Sequence, residues 1–175
     1  MLMLHALKRS PTDRAWLIAH ANDPLSTAQH TIFLEFTERR LKHEPVAYIT
    51  GMKEFFGLPL KIDGRVLDPR DDTEILVEWT LSCLADVPSP CVVDLGTGSG
   101  AIALALKHTR ADAHIHAVDT STDALAVAQS NADQLQLPIT FHQGSWLSPL
   151  SQVQFDAIVS NPPYVAQADT HLQAL

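Results

Sequence analysis

The sequence is poor in several features that would each mark a definite class of protein. It has two cysteines, Cys83 and Cys91, without CxxC spacing. That excludes a disulfide framework or a cysteine-held metal, and both are expected to be reduced, partly buried thiols. No run of about 18 apolar residues occurs, and the first residues lack an apolar stretch ending in a small-residue cleavage site. A soluble, cytoplasmic protein with no membrane partner is expected. Repeats and low-complexity tracts are absent, and 46% hydrophobic against 18% charged residues excludes disorder and favours a packed core.

Basic residues are scarce where a nucleic-acid enzyme would need them. Of the formal charge of −8, residues 81–175 carry −6, with two of the 12 Lys+Arg and eight of the 20 Asp+Glu. Neutralising phosphates takes a basic surface. No direct nucleic-acid contact is expected unless a separate domain supplies the charge.

Three textures follow one another. Residues 1–43 are helix-like, with Leu4, Leu7, Trp16, Leu17, Ile18, Ile32, Phe33, Phe36 and Leu41 recurring at three- and four-residue steps. Asn22-Asp23-Pro24 and Ser26-Thr27 interrupt them with turn and cap chemistry. Residues 44–70 read as a β-hairpin linker, from β-prone runs at 48–51 and 55–62 separated by glycines. From residue 71 the chain reads as an α/β domain. Asp71-Asp72-Thr73-Glu74 caps a helix to about 84. Strands at 90–94, 115–119, 139–142 and 155–160 alternate with helices at 101–107 and 122–135, which predicts a parallel sheet with helices on its faces. Leu104, Leu125 and Val127 are expected in the core, and Glu78, Asp123 and Asp133 on solvated helix faces. His108, His114, His116 and His142 lack a third ligand at metal-site spacing, so no metal is expected.

Asp94-Leu95-Gly96-Thr97-Gly98-Ser99-Gly100 lies where the first strand turns into a helix, where glycines admit a ligand close to the backbone. The spacing is GxGxG and no Lys-Ser/Thr follows, which excludes a nucleoside-triphosphate loop. Such a loop alone could be turn punctuation. With Asp119 ending the next strand, placed to accept both hydroxyls of a ribose, a nucleoside cofactor is favoured.

Asn161-Pro162-Pro163-Tyr164 follows the fourth strand. Tandem prolines fix the backbone and remove two donors, leaving carbonyls free to face a ligand. An amide or aniline-type nitrogen is a poor nucleophile because its lone pair is delocalised. The Asn161 side-chain oxygen and the Pro162 carbonyl could accept both its N–H bonds and hold it for in-line attack on an electrophile. Tyr164 would stack over the planar group. The bland alternative is a rigid loop after a strand.

The glycine loop resembles that of class I methyltransferases. The resemblance implies S-adenosyl-L-methionine as cofactor, with Gly96, Thr97, Gly98, Ser99 and Gly100 along its methionine part, Asp119 on the ribose, Trp146 beside the adenine and Asn161 at the methyl. On its residues alone, Trp146 is as readily an aromatic at the core's rim. Asn-Pro-Pro-Tyr is similar to the motif shared by DNA adenine amino-methyltransferases and protein glutamine methyltransferases. Glu44-Pro45-Val46-Ala47-Tyr48-Ile49-Thr50-Gly51, Lys53-Glu54-Phe55, Gly57-Leu58, Val66-Leu67, Pro69-Arg70 and Asp72-Thr73-Glu74, with Arg39-Arg40 before them, resemble the bacterial release-factor glutamine methyltransferases across essentially the whole chain.

That resemblance implies a helical docking domain (1–43), a hairpin linker (44–70) and a Rossmann-like methyltransferase sheet (71–175). It implies catalytic roles for Asn161, Pro162 and Tyr164, and a substrate pocket of Asn161, Pro162, Pro163 and Tyr164. The substrate would be the glutamine of the Gly-Gly-Gln loop in peptide chain release factors, modified by a monomer. Alternatives are a DNA adenine methyltransferase and a non-catalytic fragment that docks release factors. Asp68 and Asp71 stand where the family has isoleucine and proline, and Ser145 where it has aspartate. The family runs on through further strands, so a truncated sheet with an open, apolar fourth strand is expected.

Overall fold

A computed structural model of the chain describes residues 1–162. They form two compact units, Met1–Thr50 and the residues from Gly51 onward.

The first unit is helical: α1 (Leu2–Ala6), α2 (Arg14–Ala19), α3 (Thr27–Leu41) and α4 (Val46–Thr50). A capping box starts α3. The Gln29 amide donates to Ser26 Oγ and the Ser26 amide to Gln29 Oε1, at 3.3 and 3.0 Å, as the Ser26-Thr27 pair predicts. Leu4, Ala6, Ala47 and Ile49 are buried.

Helix α4 replaces the β-run expected at 48–51, and the helical unit accordingly reaches Thr50 rather than 43. Tyr48 and Ile49 donate back to the Pro45 carbonyl, and Thr50 Oγ1 donates to the Val46 carbonyl at 2.9 Å. The Arg39 guanidinium bonds both Glu44 carboxylate oxygens and reaches the Tyr48 carbonyl at 3.2 Å. A cation on the last carbonyls of a short helix stabilises it there, and this contact overrides the β-preference of Tyr48, Ile49 and Thr50. Gly51, at φ +70°, ends the helix.

In the second unit, β1 (Met52–Phe55) and β2 (Leu58–Lys61) pair antiparallel with Phe55 opposite Leu58. The 55–62 run is therefore not one strand, since Phe56-Gly57 is its turn. Both turn residues have positive φ, 51° and 77°, as a two-residue hairpin with right-handed twist requires. The Phe56 amide donates to Glu74 Oε1 at 2.7 Å, which helps hold a bulky residue in that conformation. Glu74 opens α5 (Glu74–Cys83) after a 3-10 turn at Asp71–Thr73 with no side-chain cap. The expected cap is absent because these acids are engaged elsewhere: Asp71 pairs with Lys53 Nζ at 2.6 Å.

Strands β3 (Cys91–Leu95), β4 (His114–Asp119), β5 (Thr140–Gln143) and β6 (Ala157–Ser160) form a parallel sheet in the order β5-β4-β3-β6. Helix α6 (Ala101–Thr109) links β3 to β4, and α7 (Thr122–Leu135) links β4 to β5. Ala101, Ile102, Ala103, Leu104, Ala105 and Leu106 are all buried, the mark of a helix enclosed on every side. Leu104 and Val127 are core as expected; Leu125 is half-buried, because two residues along a helix is more than half a turn away from Val127. Cys83 is exposed and Cys91 half-buried, both free. Among the described residues β6 is an edge strand with Ile158 exposed, and no helix is long and apolar enough to cross a membrane.

The strand order reverses between β3 and β6, since β4 and β5 extend to one side of β3 and β6 to the other. Open α/β sheets bind ligands in the crevice beyond the carboxyl ends of the strands at such a reversal.

Arg39→Met should lower the stability of the helical unit by about 1–2 kcal/mol, because it removes charge-assisted bonds to half-exposed partners. Thermal unfolding followed by circular dichroism, beside Arg40→Met as control, checks this; equal small effects would deny Arg39 its role in α4.

Candidate active site

Register sets the site. Leu95 is aligned with Val118 on β4 and with Ser160 on β6, so the next residue on each strand, Gly96, Asp119 and Asn161, emerges at one level. Ser160 Oγ donates to the Leu95 carbonyl at 2.7 Å and ties the two sides of the reversal.

Gly96, Gly98 and Gly100 have φ of 74°, 55° and 83°, open to glycine without strain. Their tasks differ. A Cβ at Gly96 or Gly98 would meet nothing within 4 Å, whereas one at Gly100 would sit 3.2 Å from Ala128 Cβ and Leu104 Cδ1. Gly100 thus serves packing of α6 against α7, while Gly96 and Gly98 leave a bare backbone facing open space. The Gly96 and Thr97 amides donate to the Val118 carbonyl at 2.8 and 3.0 Å.

Asp119 is aligned by the backbone. Its Oδ2 accepts from the Gly98 amide and its Oδ1 from the Ser121 amide, both at 2.9 Å. Each carboxylate oxygen has acceptor capacity beyond that one bond. The Asp119 carbonyl accepts from the Gly144 amide at 3.0 Å. A Cβ on Gly144 would lie 2.9 Å from Pro149 Cδ, so only glycine fits this turn, which leads to Ser145 and Trp146. Trp146 is 62% exposed with φ +52°.

These groups enclose a cavity of about 400 Å³ whose lining includes Gly96, Gly98, Asp119, Ser145, Trp146, Asn161 and Pro162, within the range of small-molecule sites. Thr97 and Ser99 line a neighbouring cavity of about 70 Å³ with Asp68, Arg70, Thr73 and Asn161. Gly100 lines neither. Pro163 and Tyr164 lie outside the described residues. Asn161 Nδ2 donates to Thr73 Oγ1 at 2.8 Å, which turns the carbonyl edge of the amide away from Thr73. Val66 and Leu67 line the larger cavity and Thr73 the smaller one. Thr73 reads in sequence as a helix cap.

Asp94, below the loop, is buried. Thr97 Oγ1 donates to its Oδ2 at 2.6 Å, and Oδ1 has no partner. Burial pushes its pKa up to about 6, against the pull of the Thr97 hydroxyl. Asp68 also has a buried, unpartnered Oδ1 and is held above the usual carboxylate range by burial. His116 Nδ1 lies 2.9 Å from His142 Nε2, and burial holds the His116 pKa down with help from His142. Among the described residues no group of three or more His, Cys, Asp or Glu could hold a metal.

A parallel sheet with this strand order, a glycine loop after its first strand and a carboxylate ending the next defines the Rossmann-like fold of class I methyltransferases. Comparison with known proteins carries this further. The chain belongs to the methyltransferase small domain family, whose model matches residues 71–175, and residues 1–51 match the PrmC N-terminal domain. It is similar to the release factor glutamine methyltransferase of Bordetella pertussis, 45% identical over 98% of this chain and 63% of that protein. The protein of the same name from Coxiella burnetii is 43% identical over 100% of this chain and 62% of its own length. The chain thus spans about three-fifths of the length of these relatives. Among solved structures, the METTL16 methyltransferase domain lacking its N-terminus superposes with a TM-score of 0.56 at 21% identity, over 81% of this chain and 62% of that one. The Pyrococcus abyssi tRNA (uracil-54, C5)-methyltransferase in complex with S-adenosyl-L-homocysteine gives 0.53 at 17%, over 64% and 28%. Both share the fold.

Asp94 generates a pH test. Its carboxyl favours the protonated form when folded, so its contribution to stability falls as pH rises from about 4 through about 6. Asp94→Asn should therefore gain on the wild type across that window, by up to about 3 kcal/mol at pH 7 relative to pH 4. Urea unfolding of both proteins at several pH values reads this difference; a flat difference would place the Asp94 pKa near its ordinary value.

Proposed function

We propose that the chain is the docking and cofactor-binding part of an enzyme that methylates the glutamine side-chain amide in the Gly-Gly-Gln loop of peptide chain release factors, using S-adenosyl-L-methionine in the cytoplasm. The observation that carries this reading is that Gly96, Gly98, Asp119 and Asn161 face one cavity at the reversal of strand order. The relatives, release factor glutamine methyltransferases, support the substrate.

The cavity fits the cofactor. Gly96 and Gly98 present backbone without side chains to open space, as a ligand lying against the loop requires. Asp119, oriented by two amides, would accept the ribose hydroxyls. Trp146 would flank the adenine, and Thr97 and Ser99, which line the neighbouring cavity, would complete the methionine side, with Gly100 supporting the loop through its packing on α7. S-adenosyl-L-methionine, when bound, supplies a sulfonium methyl group reactive enough for a weak nitrogen nucleophile.

The chain's own task is to hold that nitrogen. Asn161 Oδ1 and the Pro162 carbonyl would accept its two N–H bonds and draw the lone pair out of the amide plane toward the methyl. Thr73 fixes which edge of the Asn161 amide carries the oxygen. The extra proton that the nitrogen carries after methylation passes to water, so no dedicated base is needed. Pro163 and Tyr164, outside the described residues, belong to the substrate pocket that the resemblance implies.

Intact-mass analysis of a release factor incubated with the chain and S-adenosyl-L-methionine tests this. One methyl should appear on the wild-type factor and none on its Gln→Ala variant in the Gly-Gly-Gln loop. Methylation of both would overturn the site, and methylation of duplex DNA instead would overturn the substrate. Asn161→Ala should slow transfer by about 10²–10³-fold while S-adenosylhomocysteine affinity changes by less than about threefold.

A further inference from the structure

Asn131, on α7, is fully buried, and no motif draws attention to it. Its Oδ1 accepts from the Lys61 amide at 2.8 Å, and its Nδ2 donates to the Lys61 carbonyl at 3.1 Å and to the Ser99 carbonyl at 3.0 Å. Both amide hydrogens are used. A space-filling residue here would be apolar, since burying an amide is costly unless it is fully engaged. The bonds reach two segments far apart in sequence: the end of the β-hairpin and the glycine loop.

We infer that Asn131 is a positioning residue for the glycine loop and couples its conformation to the hairpin. The Ser99–Gly100 peptide is held at both ends. Its carbonyl faces Asn131, and its N–H donates to the Thr97 carbonyl at 2.9 Å. That peptide follows directly on Gly98, one of the two glycines that face the larger cavity. Releasing the Ser99 carbonyl frees the loop to rotate about glycines that resist nothing. Lys61 loses both backbone partners in the same event, so the hairpin end loosens together with the loop. The ligand side of this inference rests on the proposed cofactor; the coupling does not.

The test uses the full chain with Asn131→Ala and Asn131→Asp, each shown folded by its unfolding transition. Calorimetry compares S-adenosylhomocysteine with 5′-methylthioadenosine, which keeps the nucleoside and lacks the amino-acid end. Asn131→Ala should weaken the first about tenfold and the second less than about twofold, since one positioning bond is worth about that factor. Asn131→Asp keeps the acceptor for Lys61 but sets a carboxylate against two carbonyls. Its S-adenosylhomocysteine affinity should recover as pH falls and a donor hydrogen returns, while the wild type shows no such recovery. Hydrogen exchange without ligand should speed up together in residues 58–62 and 96–101 of Asn131→Ala. Equal weakening of both ligands, or faster hairpin exchange with an unchanged loop, would reduce Asn131 to a structural residue. If neither ligand binds the wild type, the cofactor reading fails and the paired exchange alone decides the coupling.

Discussion

The parallel alignment of β3 between β4 and β6 is the constraint on which the rest of the site depends. In a parallel sheet all carboxyl ends lie on one edge. With Leu95, Val118 and Ser160 in one row, the loop after β3, the carboxylate after β4 and the Asn-Pro after β6 must meet. A slip of one residue in either pairing would turn each strand's side chains to the opposite face and displace Asp119 or Asn161 from that row. The Ser160 hydroxyl on the Leu95 carbonyl and the paired Val118 bonds to Gly96 and Thr97 hold that row at the end where a slip would matter most.

Around this row the chain departs from comfortable geometry. Trp146 adopts left-handed backbone with a large side chain, and Asp94 is buried with one oxygen unpartnered. Such features persist only where the surroundings over-determine them. Here the surroundings are the buried residues 101–106 of α6 and the amide bonds to Asp119 and from Asn131. Two acids in the segment before α5 fare differently. Asp71 finds Lys53 and lies in solvent, whereas Asp68 keeps a buried oxygen without a partner beside the smaller cavity.

Much of the architecture was legible because it is local. The apolar run of β3, the Ser26 cap and the alternation of strand and helix each lie within a few residues of sequence, where periodicity and capping act directly. Local pattern misleads at α4, where β-prone residues are held helical by Arg39 from another helix, and in the hairpin, where Phe56 occupies a turn position stabilised by Glu74. Both failures come from contacts between segments that no local pattern records.

The same division holds at the site. Residue identities alone determined which groups are on offer: bare backbone at Gly96 and Gly98, a carboxylate at Asp119 and acceptors at Asn161 and Pro162, because those groups are defined by their own atoms. Tertiary structure decided which of them share a cavity, that Gly100 packs α6 against α7, and that Thr73 and Asn131 bond the Asn161 amide and the Ser99 carbonyl. Those assignments rest on hydrogen bonds between residues 88, 70 and 32 positions apart, and such partners exist only once the sheet has brought them together.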